Sequence, residues 1–289
     1  MTGASSGIGR ALALELAARG AVLGISARRF ELLHELADEV ERAGGVRPAV
    51  LPADLSRRCS ASALAEDAVE ALGHVDVLVN NAGAGCGGAV WRVGDRDEAR
   101  EAFETNFWGP LALIAALVPA MRERGEGAVV NVTSTSQVTA LWGLGHYSAT
   151  KAGLAIATET LRTELHGSGV HVMEVIPGPI DTAIQAESRL IPGAEIVLSR
   201  TPMGSPEKLA RLTVRALERG RRKRLVYPRV LRMAYAFPGV SRWYLAALAR
   251  RHAGEIDADD ARVVRAGSMG DDIAREARAQ WERERALRN

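Results

Sequence analysis

Short apolar runs alternate with helix-length amphipathic stretches along most of this chain, and that alternation constrains its fold more than any single residue does. Residues 21–26, 48–52, 75–79, 128–132, 170–176 and 225–227 read as strands. Helical patterns fill 11–18, 30–43, 60–72, 107–121, 146–166 and 205–220. Parallel strands need a crossover, for which a helix is the usual solution, so the pattern predicts an α/β fold: a doubly wound parallel sheet with helices on both faces. At 289 residues and 47% hydrophobic content the chain can fill one large core. Open sheets of this kind take their ligands at the carboxyl ends of the strands, so function is sought in the loops there.

One such loop comes first. Residues 2–10 read Thr-Gly-Ala-Ser-Ser-Gly-Ile-Gly-Arg, and an apolar-periodic helix follows. Gly3, Gly7 and Gly9 allow a tight turn and a close approach of backbone to a pyrophosphate, while the helix N-terminus presents free N–H groups. Ser5, Ser6 and Ile8 belong to the same turn and are expected to share in binding; an ordinary glycine-rich loop is the competing reading. A turn of this type normally follows a buried strand, yet only Met1 precedes Thr2. The first strand is therefore expected to be missing, as from a start placed too late, with the ladder groups of its neighbours left unpaired.

The run at 21–26 ends in Ala27-Arg28-Arg29. Dinucleotide folds that prefer NAD offer the ribose an acidic side chain here, whereas those that prefer NADP offer arginine to the 2′-phosphate. A carboxylate is lacking and a guanidinium fork is available, so Arg28 points to NADP(H) as the preferred cofactor, with NAD(H) second; solvated arginines at a helix start are the alternative. Asp54, just past the next strand, suits either an adenine amino group or the cap of a turn. Asn80-Asn81-Ala82-Gly83 closes a buried strand with backbone-binding amides and small residues, and Asn80, Ala82 and Gly83 are expected at the ligand.

The helical stretch 146–166 takes its apolar positions from Leu154, Ile156, Leu161 and Leu165, and no proline interrupts it before Pro177. Tyr147 and Lys151 stand four apart and so share a face. A phenol titrates near pH 10 on its own, and a neighbouring ammonium favours the ionised form, which suits general acid/base work at neutral pH. Such a pair also occurs by chance on surface helices, so its weight depends on the rest of the chain.

Together these stretches resemble the short-chain dehydrogenase/reductase family. The matching residues are the turn from Thr2, Asn80-Asn81-Ala82-Gly83, Asn106, Ser134, Tyr147 with Lys151, and Pro177-Gly178-Pro179-Ile180 followed by Thr182, in the family's order and approximate spacing. The match runs over roughly residues 2–190 and more loosely to about Pro228. It implies a Rossmann-like NADP-binding catalytic domain over residues 1–228 that moves hydride between the nicotinamide and a carbonyl or secondary alcohol, without a metal. It further implies that Ser134, thirteen residues before Tyr147, holds the substrate oxygen, and that Tyr147 exchanges the proton. Lys151 would hold the nicotinamide ribose and favour the phenolate. Asn106 would support a water between that lysine and solvent, an N-cap being the plainer alternative. Pro177, Gly178 and Ile180 would wall the nicotinamide, and Thr182 would meet its carboxamide. Thr135 and Ser136 read as turn residues.

Residues 229–289 read as a helical, basic and aromatic extension ending in a charged tail. Between Arg219 and Gly254 there are ten Lys or Arg and no Asp or Glu, interleaved with Leu231, Met233, Tyr235, Phe237, Trp243, Tyr244 and Leu245. Peripheral contact of 219–254 with a membrane surface suits that mixture. A helix that closes the substrate pocket, or an oligomer interface with arginines reaching to solvent, is the alternative. Residues 255–289 carry both signs and read as a solvated helix or loose tail. A net charge of +2 is too mild for a nucleic-acid partner, and Cys59 and Cys86 offer neither zinc spacing nor a disulfide framework. No apolar run reaches the roughly eighteen residues of a spanning helix, and no secretory signal opens the chain, so the cytoplasm is the expected compartment. The expected partners are a small-molecule carbonyl or alcohol and further copies of the chain as a homo-oligomer. A bulky apolar ketone or alcohol is favoured by the C-terminal region alone, and a polyketide-type or other small carbonyl is equally admissible by the chemistry. A non-catalytic dinucleotide-binding regulator and a membrane-surface scaffold are the rival functions, and the intact serine, tyrosine and lysine argue against the regulator.

Overall fold

The computed structural model describes residues 1–182, 185, 188, 189, 191, 194–220, 223–252 and 264–266. In chain order its strands are β1 (Gly24–Ile25), β2 (Ala49–Val50), β3 (Val77–Asn80), β4 (Gly85–Gly87), β5 (Gly127–Val132), β6 (Val170–Pro177), β7 (Arg224–Tyr227) and β8 (Val264–Ala266). β3, β5, β6 and β7 lie side by side in that order, all parallel, with Asn80 opposite Asn131 and Val132 opposite Val175. β1 and β2 form a separate parallel pair.

Met1 and Thr2 join these two pieces. Thr2 pairs in parallel with Ser26; its N–H donates to the Val79 carbonyl (3.0 Å), and the Ser26 N–H donates to the Met1 carbonyl (2.9 Å). The place of the strand that leads into the glycine turn is thus held, among the described residues, by two residues. The amino terminus is buried there and donates to Gly24 O at 2.7 Å, and burial lowers its pKa to about 6.

The helices are α1 (Gly7–Ala17), α2 (Phe30–Arg42), α3 (Ser60–Leu72), α4 (Val90–Val93), α5 (Asp97–Phe103), α6 (Gly109–Arg124), α7 (Gly145–Glu164), α8 (Ala194–Leu198), α9 (Pro206–Glu218), α10 (Leu231–Ala236) and α11 (Pro238–Arg251). The period of two along each strand sorts side chains to the two faces of the sheet. Val129 and Val172 meet Leu64 of α3 and Leu113, Leu117 and Met121 of α6 on one side. Their chain neighbours Val130 and Met173 meet Leu12 of α1 and Leu209 and Val214 of α9 on the other. The doubly wound architecture follows from that alternation. α9 begins as its sequence foretells: Pro206 opens it, and the Ser205 hydroxyl accepts from the Lys208 N–H at 3.1 Å.

Three features depart from the expectations. α5 continues through a five-residue π turn, Glu104–Trp108, directly into α6, so Asn106 lies inside a helical run and is not an N-cap. On α7 the buried stripe is Lys151, Leu154 and Thr158, at helical i, i+3, i+7 spacing, whereas Ile156 is 66% exposed. β8 pairs antiparallel with β4, Gly85 facing Ala266, an edge with no forewarning in the sequence. Apart from 264–266, the tail at 255–289 lies outside the described residues. No helix among the described residues is long and apolar enough to cross a membrane.

Met173 is fully buried in the central strand β6. Met173→Ala should lower unfolding stability by about 2–5 kcal/mol, read as a fall in the urea midpoint, whereas Ile156→Ser on the exposed face of α7 should move it by no more than about 0.5 kcal/mol. Equal midpoints for the two variants would contradict this packing.

Candidate active site

The glycine turn is built so that backbone meets backbone. Gly3 and Gly7 hold φ of +67° and +55°, in the left-handed region that favours glycine. A Cβ on Gly3 would lie 2.7 Å from Ala82 Cα, one on Gly9 would lie 2.0 Å from the Gly3 carbonyl oxygen, and one on Gly7 would lie 2.9 Å from Thr182 Cγ2. The turn is clamped from the neighbouring strand end. Thr2 Oγ1 accepts from the N–H groups of Asn81 (3.1 Å) and Ala82 (3.0 Å). In return, Asn81 Nδ2 donates to the carbonyls of Thr2 (3.1 Å) and Gly3 (3.2 Å). Ser6 provides no side-chain cap, so the first N–H groups of α1 and their partial positive charge are left to the space in front of them.

That space is a cavity of about 600 Å³ whose wall includes the glycine turn, Arg28 and Arg29, Ser134, Tyr147, Lys151 and the Pro177–Thr182 segment. Leu141, Trp142, Ile191 and Val197 give it an apolar portion. Arg29 reaches across the turn, its Nη2 donating to Ser5 Oγ (3.1 Å) and Ser6 Oγ (2.8 Å). Asp54 also lies on the wall, but its Oδ1 accepts from Ser56 N (3.1 Å) and Ser56 Oγ (2.8 Å), so it caps a turn.

The chemistry-bearing end is set by how α7 meets the sheet. Asn80 Nδ2 donates to Asn131 Oδ1 (2.8 Å), Asn131 Nδ2 donates to Thr158 Oγ1 (2.8 Å), and Thr158 Oγ1 donates to the Leu154 carbonyl (2.6 Å). All three of these polar side chains are buried, so the chain of bonds fixes the register of α7 on β3 and β5. Two turns before Thr158, Lys151 Nζ donates to the Val132 carbonyl at 3.0 Å and stands 5.9 Å from the centre of the Tyr147 ring. Burial lowers the Lys151 pKa to about 8. Burial raises that of Tyr147, and a hydrogen bond with the Ser134 side chain opposes the rise. The ammonium beside the phenol was expected to pull it down; with Nζ turned to a carbonyl, desolvation wins in the phenol's own balance.

Ser134 follows β5 in extended conformation, its Oγ accepting from Ser136 N (3.2 Å) at the head of a short 3-10 turn, Thr135–Val138. The turn is braced from below by Glu174 of β6, which is 1% exposed. Glu174 Oε1 accepts from Thr133 Oγ1 (2.9 Å) and Gln137 Nε2 (2.9 Å), and Oε2 accepts from Arg224 Nε (3.2 Å). Residues on both sides of Ser134 are thereby tied to one buried carboxylate.

Of the residues singled out in the sequence, all but two lie on the cavity wall. Asn80 belongs to the buried chain under α7, and it is Asn81 that faces the glycine turn. Asn106 is fully buried, its Oδ1 accepting from Ala84 N (2.8 Å) and its Nδ2 donating to Ala84 O (2.8 Å) and Thr150 Oγ1 (3.0 Å). Asn81, Arg29 and Glu174 were not foreseen. Arg29 stands beside Arg28 and Asn81 beside Asn80, so in both cases the signal was present one residue away.

The chain is 35% identical over 184 residues to 11-beta-hydroxysteroid dehydrogenase 1A of Arabidopsis thaliana, a match that takes in 64% of this chain and 52% of that protein. It therefore spans about half the length of that relative. Among solved structures, a short-chain dehydrogenase from Sphingobium yanoikuyae in complex with NADPH superposes with a TM-score of 0.71 at 27% identity, over 94% of this chain and 97% of that one. A short chain dehydrogenase/reductase from Burkholderia phymatum in complex with NAD gives 0.73 at 26%, over 84% and 94%. The short chain dehydrogenase family profile matches residues 1–191, about two thirds of the sequence, and the chain belongs to that family.

Proposed function

We propose that the protein is an oxidoreductase that prefers NADP(H) and interconverts a carbonyl and a secondary alcohol on an apolar small molecule. One observation carries this reading: a glycine cradle, Ser134, Tyr147 and the buried Lys151 line the same cavity. The residues fit a dinucleotide, because the glycine turn lines the cavity and the first N–H groups of α1 have no side-chain cap. Gly3, Ser5, Ser6, Ile8 and Gly9 would take the pyrophosphate, and Arg28 with Arg29 the 2′-phosphate. Pro177, Gly178, Ile180 and Thr182 would meet the nicotinamide end, with Ala82 and Gly83 opposite. A bound nicotinamide supplies or accepts hydride at the substrate carbon.

The protein's own part is to hold the oxygen and move the proton. Ser134, braced by Glu174, donates a hydrogen bond to the substrate oxygen and fixes its orientation. The Tyr147 phenol, held protonated by burial, gives its proton to the oxygen as negative charge develops there; oxidation runs the same transfer backwards. Lys151 stands close enough to stabilise the phenolate once the proton has left. Asn106 shapes the backbone here through its bonds to Ala84, and a Cβ on Gly83 would stand 3.6 Å from both Asn106 Oδ1 and Lys151 Nζ. The second lone pair of Oδ1 remains for a water that refills the proton. The apolar wall at Trp142, Ile191 and Val197 supports an apolar substrate.

Fluorescence titration is expected to show tighter binding of NADPH than of NADH. Arg28→Ala and Arg29→Ala should each weaken NADPH by about 10–100-fold, the equivalent of one charge-assisted hydrogen bond, and leave NADH nearly unchanged. Folded protein that binds neither nucleotide would sink the reading. In a carbonyl screen, Tyr147→Phe should lower kcat about 10²–10⁴-fold while NADPH affinity is kept. The lysine makes a separate prediction about stability. Its folded pKa of about 8 lies below its ordinary 10.5, so below pH 8 both states are protonated and the cost of the buried ammonium is fully present. Between these values the unfolded chain binds more protons, and stability rises with pH. Urea unfolding of the apo protein should show Lys151→Met more stable than the wild type near pH 7, with the gap closing toward pH 10; a constant gap would mean that the ammonium is not buried.

A further inference from the structure

α10 and α11 present an outward face with nothing against it among the described residues. Val230, Met233 and Phe237 stand at i, i+3, i+7 spacing and are 63%, 65% and 55% exposed. Val240, Trp243 and Tyr244 follow at i, i+3, i+4 on α11, and are 65%, 69% and 49% exposed. The adjoining side of α11 is occupied, because Leu245 and Leu248 are buried. The outward position is therefore imposed by packing. Polar contacts also hold these helices to the site: Tyr235 OH accepts from Gln137 Nε2 (3.0 Å), and Arg242 Nε donates to the Val138 carbonyl (3.0 Å). Both contacts land on the 3-10 turn that follows Ser134.

The charge carried by the two helices themselves has one sign. Arg229, Arg232, Arg250 and Arg251 are exposed within the two helices and at their ends, and the whole stretch from Arg219 to Gly254 has no carboxylate. We propose that this face docks on a lipid bilayer bearing anionic headgroups. The two halves of the surface match the two layers such a membrane offers: the aliphatic and aromatic side chains enter the boundary between headgroups and acyl chains, and the arginines remain among phosphates and carboxylates. Contact with a second copy of this chain would need the same residues, so that occupant is an outcome of the test. The inference does not depend on the cofactor or the reaction, and it would place the Ser134 turn beside the bilayer.

The test is sedimentation of the full chain with phosphatidylcholine vesicles, with and without a third of the lipid as phosphatidylserine. The protein should pellet with the anionic vesicles, at least about tenfold more strongly than with the neutral ones, and high salt should reverse it. Phe237→Ser/Trp243→Ser should reduce the bound fraction by a similar factor. Arg250→Glu/Arg251→Glu, which leaves the apolar side chains in place, should reduce it as well and covers the case in which the first variant folds poorly. Circular dichroism and the urea unfolding midpoint establish folding independently. Failure to pellet in folded protein, equal pelleting on both vesicle types, or wild-type pelleting by both variants would overturn the proposal. So would sedimentation equilibrium showing a wild-type dimer that Phe237→Ser/Trp243→Ser converts to monomer in the absence of vesicle binding, since the face would then be a contact between copies.

Discussion

Everything at the site depends on the seating of α7 against the sheet by buried polar bonds. Leucines on a valine sheet would tolerate a helix rotated or shifted by a residue, because apolar contact has little directional preference. Asn131 and Thr158 do not tolerate it: both are fully buried, and a slip would leave their amide and hydroxyl without partners at about 1–3 kcal/mol each. The Lys151 ammonium adds the same demand two turns away, through its bond to the Val132 carbonyl. One residue of helical rotation is about 100°, enough to turn Tyr147 away from Ser134. Polar groups that add little net stability thus supply the angular accuracy that the proposed proton transfer needs.

The same cavity holds two electrostatic regimes. At the glycine turn, exposed arginines and a helix N-terminus offer positive charge in contact with water, which attracts a polyanion and lets it leave again. Around Tyr147 and Lys151, burial shifts both groups toward neutrality, down to about 8 for the lysine and upward for the phenol. A charge that develops in the second region is poorly screened and responds strongly to the few dipoles nearby. The sheet separates these regimes by strand: β1 and the start of α1 serve the first, β5 and α7 the second.

Much of this was legible in the chain. The alternation of elements, the glycine positions and the four-residue spacing of Tyr147 and Lys151 each express a steric or periodic rule that acts locally, and the structure follows them. What escaped is what local rules do not contain. Asn80 and Asn81 are neighbours of the same type, and only the exact end of β3 decides which amide points into the sheet and which toward Gly3. Asn106 sits in a π turn, where one extra residue interrupts a helix that its sequence would otherwise continue. Glu174 stands in a strand that reads as apolar, and its place there makes sense only once Thr133, Gln137 and Arg224, all distant in sequence, converge on it. The pairing of β4 with β8 is non-local in the same way.

That last pairing bears on how such a protein changes over evolutionary time. Gly85, Cys86 and Gly87 lie on the cavity wall, and the ladder partner of their strand comes from residues 264–266, far beyond the part of the chain that holds the glycine turn and Tyr147. A backbone ladder asks little of side-chain identity, so that returning segment is free to drift in sequence and still close the edge. Descendants of this chain could therefore explore new shapes on one side of the pocket while the machinery on the other side stays under strict constraint.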